Sequence, residues 1–130
     1  MDRRSCVLLA AATLLSAVLA APALAASTTP RPKLTCDAPS TSRAAAPAAG
    51  AQATYPAGNA GSVVVQRVDA TTLRIVSANP SGGWTQQVMA QSGPRVRVKF
   101  TNSGGELERF ASSLNKKGTE IHNRVTHCHH

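Results

Sequence analysis

Arg95-Val96-Arg97-Val98-Lys99-Phe100-Thr101 alternates apolar and polar residues without a break. In an extended chain successive side chains point to opposite sides, so Val96, Val98 and Phe100 share one face and Arg95, Arg97, Lys99 and Thr101 the other. A helix would scatter both sets around its axis. The stretch therefore predicts a strand with one face in a core and one cationic face in water.

Working outward, similar runs recur every ten to twelve residues, separated by turn residues. Before it stand Ser62 to Val68, Thr72 to Ser77 and Trp84 to Met89, with Asn79-Pro80-Ser81-Gly82-Gly83 and Ser92-Gly93-Pro94 as breaks. After it, Asn102-Ser103-Gly104-Gly105 reads as a hairpin turn. Glu106 to Leu114 fits helix (Phe110 and Leu114) or strand (Phe110, Ser112 and Leu114), and the neighbouring hairpins favour strand. Lys116-Lys117-Gly118 then turns into Thr119 to Thr126. Six strands with short connections predict an all-β, antiparallel domain: a meander, a sandwich or a partly closed barrel. Its expected core is Val63, Val65, Leu73, Ile75, Trp84, Val88, Val96, Val98, Phe100, Phe110, Ile121 and Val125.

The N-terminal part differs. Arg3 and Arg4 precede the apolar run Cys6 to Leu19, and Pro22 is followed by Ala23-Leu24-Ala25, an A-x-A cleavage site. This is the layout of a secretory signal peptide over residues 1–25, cleaved between Ala25 and Ala26. The alternative, an uncleaved anchor, rests on Val7 to Ala26 being long enough to cross a bilayer. Residues 26–54 are rich in Ala, Pro, Ser and Thr, offer little apolar surface and read as a flexible tether. The β-domain is then expected over 55–130, ending in a polar His-rich tail.

Cys6 leaves with the signal, so an exported chain keeps Cys36 and Cys128 in an oxidising compartment. One disulfide is expected, with free thiols or intermolecular bridges as alternatives. Residues 1–25 carry two of the 14 Lys and Arg and one of the six Asp and Glu. The formal net charge therefore falls only from +8 to +7 on cleavage.

Tyr55-Pro56-Ala57-Gly58, Ala60-Gly61-Ser62-Val63-Val64 and Leu73 to Trp84, the last ending Gly82-Gly83-Trp84, carry a resemblance. They resemble small secreted proteins of actinobacteria that have an Ala/Pro-rich leader and one short β-domain with Gly-Trp after its second strand. The likeness covers residues 55–126 and implies export and a β-fold. It implies no activity.

Catalytic patterns are scarce. Ser113-Leu114-Asn115-Lys116 matches S-x-x-K, without an S-D-N or K-T-G partner. Glu106 and Glu108 read as a solvated strand edge rather than a carboxylate pair. The histidines lie late in the chain, at His122, His127, His129 and His130, around a cysteine that a disulfide would deny to metal. The expectation is a non-enzymatic secreted protein with no metal and no other cofactor. Its expected contact is an anionic envelope or extracellular polymer, bound through Arg95, Arg97 and Lys99. Arg74 and Arg124 would join them if their strands are neighbours. Four aromatics, Tyr55, Trp84, Phe100 and Phe110, are mostly needed by the core, so neither a stacking platform nor specific nucleic-acid recognition is expected. No stable membrane insertion is expected after cleavage. The alternative is a small inhibitor or protein-binding module using the loop Asn79 to Gly83.

Exported material should begin at Ala26, which intact mass or N-terminal sequencing reads directly. A chain retaining Met1 to Ala25 would point to the anchor instead.

Overall fold

A computed structural model describes residues 32–130. The signal peptide, its cleavage site and residues 26–31 of the expected tether lie outside the described residues. The chain forms β1 (Thr35–Cys36), β2 (Ser40–Ala45), β3 (Gln52–Pro56), one 3-10 turn (Gly58–Ala60), β4 (Gly61–Arg67) and β5 (Leu73–Pro80). It continues through β6 (Trp84–Ala90), β7 (Ser92–Gly93), β8 (Arg95–Asn102), β9 (Leu107–Leu114) and β10 (Glu120–His129). All pairings are antiparallel.

Two sheets result. The larger runs β1-β10-β9-β8-β6, with β2 also pairing β10, and the smaller runs β3-β4-β5-β7. Their facing sides meet in one core. Val63, Val65, Leu73 and Ile75 of the small sheet pack with Val96, Val98, Phe100, Phe110 and Ile121 of the large one, closed at one end by Ala57 and Ala60. Trp84, Val88 and Val125 are partly buried against it. Of the three architectures expected, the sandwich is the one adopted, and every expected core residue belongs to it.

The six strands read from sequence all form. Two boundaries shift. Asn79 and Pro80, expected in a turn, end β5, and the turn is Ser81 to Gly83. The stretch expected as a His-rich tail continues β10 to His129, because His127 and Cys128 pair with β9 and His129 pairs with β1. The stretch expected as tether is corrected from Thr35 onward, because β1, β2 and most of β3 lie within it. Apolar burial does not hold it, since every residue of β2 is exposed. It is held by backbone pairing to β10, from Val125↔Ser40 to Glu120↔Ala45. Its exit is pinned by the Ala46 amide donating to the Thr119 carbonyl at 2.9 Å and by the Arg67 guanidinium donating to the Pro47 carbonyl at 3.1 Å. Backbone ladders do not depend on side-chain type, so an Ala/Ser/Thr sequence can fill them.

Cys36 and Cys128 are bonded, directly opposite one another on β1 and β10. The bond closes a loop across a sequence separation of 92. In the chain-entropy view such a loop stabilises by up to about 4–5 kcal/mol, which is large for so small a core.

Reduction should therefore lower the melting temperature, by up to about 15–40 °C. Non-reduced protein should show no alkylatable thiol by mass spectrometry. Two free thiols, or a melting point indifferent to reductant, would contradict the bond's structural role.

Candidate cationic site

The inward set Val96, Val98 and Phe100 is buried, so Arg95, Arg97 and Lys99 stand on the outer face of the large sheet. Register decides what joins them. Lys99 lies opposite Arg109, and Arg97 opposite Ala111, which in turn faces Arg124 on β10. Arg109 faces Thr126 on the same strand. Strands are about 4.8 Å apart, and alternate residues along a strand are about 6.7 Å apart. Arg97 and Arg124 therefore flank Ala111 with about 9.6 Å between their backbones, while Lys99 and Arg109 are immediate neighbours.

These residues line one open cavity of about 520 Å³. Arg95, Arg97, Lys99, Arg109 and Arg124 surround it, and Ala111 and Thr126 contribute to its lining. Met89, 53 % exposed at the bulge that breaks the β6–β8 register, forms one wall, and Cys36 of the disulfide forms part of another. Among the described residues, no carboxylate lines it. On this face of β8, β9 and β10 the one carboxylate is Glu120, about 13 Å along β10 from Arg124 and 3.3 Å from His122.

The remaining acids are engaged elsewhere. Asp69 accepts from the Thr71 amide at 2.9 Å, and Glu106 accepts from the Asn102 amide nitrogen at 2.7 Å. Asp37 lies 3.3 Å from His129. Among the described residues, the carboxylates that come within ion-pair distance of a basic side chain do so at histidines, and none at arginine or lysine.

Two sequence expectations need correcting. Arg74 does not join the cluster: β5 belongs to the small sheet, where its buried Leu73 and Ile75 turn Arg74 to the opposite outer surface. There its guanidinium donates to Gln66. Glu106 and Glu108 are not a solvated edge. Glu108 is 2 % exposed, faces inward between Phe100 and His127, and accepts from the Asn59 amide at 3.3 Å. Glu106 precedes β9 and belongs to the turn with Asn102. Arg109 was missed, although the strand reading of Phe110, Ser112 and Leu114 as inward already implied that it points outward.

The other candidates stay apart. Ser113 ends the outer row of β9 opposite Arg95, whereas Lys116 lies in the following turn. His127 and His129 stack with ring centres 5.8 Å apart at the far end of β10. Among the described residues no group of three or more His, Cys, Asp or Glu is arranged to hold a metal ion. The turn after β5 is exposed and short, tied by the Ser81 amide to the Ala60 carbonyl at 2.8 Å, with Trp84 half-buried behind it. Among the described residues no helix is long and apolar enough to cross a membrane. No protein-family model, curated protein or solved structure matches the chain.

His129 is held above its ordinary pKa by the His130 carbonyl and then by the Asp37 carboxylate. A raised value means that folding favours the protonated ring. The contribution is fully present below the free-imidazole value and lost as pH rises through the raised one. Asp37→Asn should lower the midpoint of His129 in an NMR titration; an unchanged midpoint would show that the carboxylate plays no part.

Proposed function

We propose that this protein is an exported, non-enzymatic β-domain that associates with an anionic envelope or extracellular polymer through the outer face of its large sheet. The observation that carries this reading is the convergence of Arg95, Arg97, Lys99, Arg109 and Arg124 on one cavity with no carboxylate in its lining. A merely solvated face interleaves signs, because like charges directly opposite across strands are unfavourable. Here Lys99 faces Arg109 across β8 and β9, and Glu120, the one carboxylate on this face, lies away from them beside His122. An external polyanion would offset them.

Export is supported by the signal-like N-terminus and is compatible with the disulfide. The resemblance to secreted actinobacterial β-domains points the same way. Attraction of this kind gives affinity that falls steeply with salt, which separates it from a contact made by the Asn79–Gly83 turn.

Combined Arg95→Glu, Arg97→Glu and Lys99→Glu should leave cooperative melting intact, since exposed substitutions shift stability little. Binding to a soluble phosphate polymer, read by fluorescence anisotropy at low salt, should fall roughly a hundredfold or more. Arg74→Glu on the opposite surface should change it little. Equal binding by the triple variant and the parent would overturn the reading.

A further inference from the structure

We infer that the cavity over Ala111 is a seat for a phosphodiester-linked stretch of an extended polymer, read without any contribution from nucleobases. The inference rests on the cationic face being a polyanion surface and specifies what that surface selects.

The centre of the cluster is the smallest side chain in it. Ala111 sits between Arg97 and Arg124 across the strands, with Arg109 two residues before it on β9. Any longer residue at this position would fill the space that the arginines border. A methyl floor ringed by long cations leaves a depression into which a compact anion can descend. A flat cationic sheet would offer only a diffuse field.

The ring's chemistry favours phosphate over carboxylate. Four of the five cations are arginines, whose planar forks give paired N–H donors in fixed geometry. Here Arg97 and Arg124 stand on either side of Ala111 across the strands, and Arg109 stands two residues before it, all three bordering the cavity. A carboxylate has two oxygens in one plane and is well matched by one fork. The oxygens on a tetrahedral phosphorus lie in different planes and accept from several forks at once. Thr126, facing Arg109, adds a hydroxyl donor to the same lining.

The cavity is open, so a phosphate seated in it can continue as a chain on either side. Arg95, and Lys99 beside Arg109, extend the cationic surface along β8 in both directions from Arg97, about 6.7 Å per step. Its exposed lining side chains include no aromatic: Phe110 is 1 % exposed, and its ring belongs to the core. Bases would find nothing to stack on. The fitting occupant is a phosphodiester-linked polyol or glycan chain.

The test compares poly(glycerol phosphate), poly(glutamate) and a single-stranded oligonucleotide of matched charge and length, by anisotropy competition at fixed ionic strength. The parent should prefer poly(glycerol phosphate) to poly(glutamate) by about tenfold or more, and bind the oligonucleotide no more tightly than poly(glycerol phosphate). Ala111→Leu keeps every charge and should abolish the preference, bringing both polymers to the poly(glutamate) level. Arg97→Lys with Arg124→Lys keeps the charge without the forks and should do the same, with cooperative melting as the check on folding. A parent that binds both polymers equally, or variants that keep the preference, would overturn the seat while leaving polyanion attraction standing. Tighter binding of the oligonucleotide would overturn the base-independent reading. Loss of all polymer binding by the parent itself would instead remove the proposed function beneath it.

Discussion

Burial of Val96, Val98 and Phe100 is the constraint from which both the fold and the cationic face follow. Each is essentially inaccessible, and together they meet Val63, Val65, Leu73 and Ile75 from the other sheet. Fully burying each such side chain contributes on the order of 1.5–3 kcal/mol. Slipping the strand by one residue would bury Arg97 and Lys99 and expose all three apolar groups. No such register competes. The positions of Arg95, Arg97 and Lys99 are thus a by-product of hydrophobic burial, and the same argument on β9 sets Arg109 outward because Phe110 and Ser112 are inward. Surface chemistry here is fixed by core chemistry on the next atom layer.

That logic also separates what was legible in the sequence from what was not. Strands that bury one face announce themselves through alternation, and all six of those were readable, together with most of the core, whereas Ala57 and Ala60 lie outside the alternating runs and were not. β2 buries nothing; it is bound by its backbone to the edge of β10, and backbone pairing leaves no mark in side-chain pattern. β1 and β7 are two residues each, too short for any period, although Cys36 marked the first through its expected partner. β3 shows only a weak inside–outside pattern, with Tyr55 half-buried between exposed neighbours. For the site, alternation says whether a cation points out but not which sheet carries it. Arg124 and Arg74 looked equivalent in sequence. Pairing put one beside β9 and the other on the reverse of the molecule.

Glu108 illustrates the opposite failure, a polar residue that obeys the period and is buried by it. It sits in line with Phe110 and Ser112, so the pattern required it to face inward even though its charge argued otherwise. The fold accommodates it locally. The carboxylate lies at the end of the sandwich against Gly58, where a Cβ would collide with it, and beside His127 at 3.3 Å. Gly58 also has φ of 57°, the left-handed region where a side chain is strained. Two separate demands, room for a carboxylate and a left-handed turn, thus converge on the same glycine. A buried carboxylate adds little stability, and here its Oε2 has no hydrogen-bond partner.

The cationic face bears its own repulsion cheaply because it remains wet. Two unit charges 4 Å apart interact by only about 1 kcal/mol in water, and long exposed side chains splay to reduce even that. The core and the disulfide easily outweigh such a cost. What the strands supply is a backbone that cannot relax: β8, β9 and β10 are paired along their lengths, and β1 is bonded beside them through Cys36, whose side chain borders the cavity. The cations are therefore free at their tips and fixed at their roots. An arriving anion would need to order only rotamers, at about 0.5–1.5 kcal/mol for each side chain it immobilises, and no backbone. A sheet is well suited to this division, since its outer face can be filled with one sign of charge while its inner face, by the same period of two, holds the domain together.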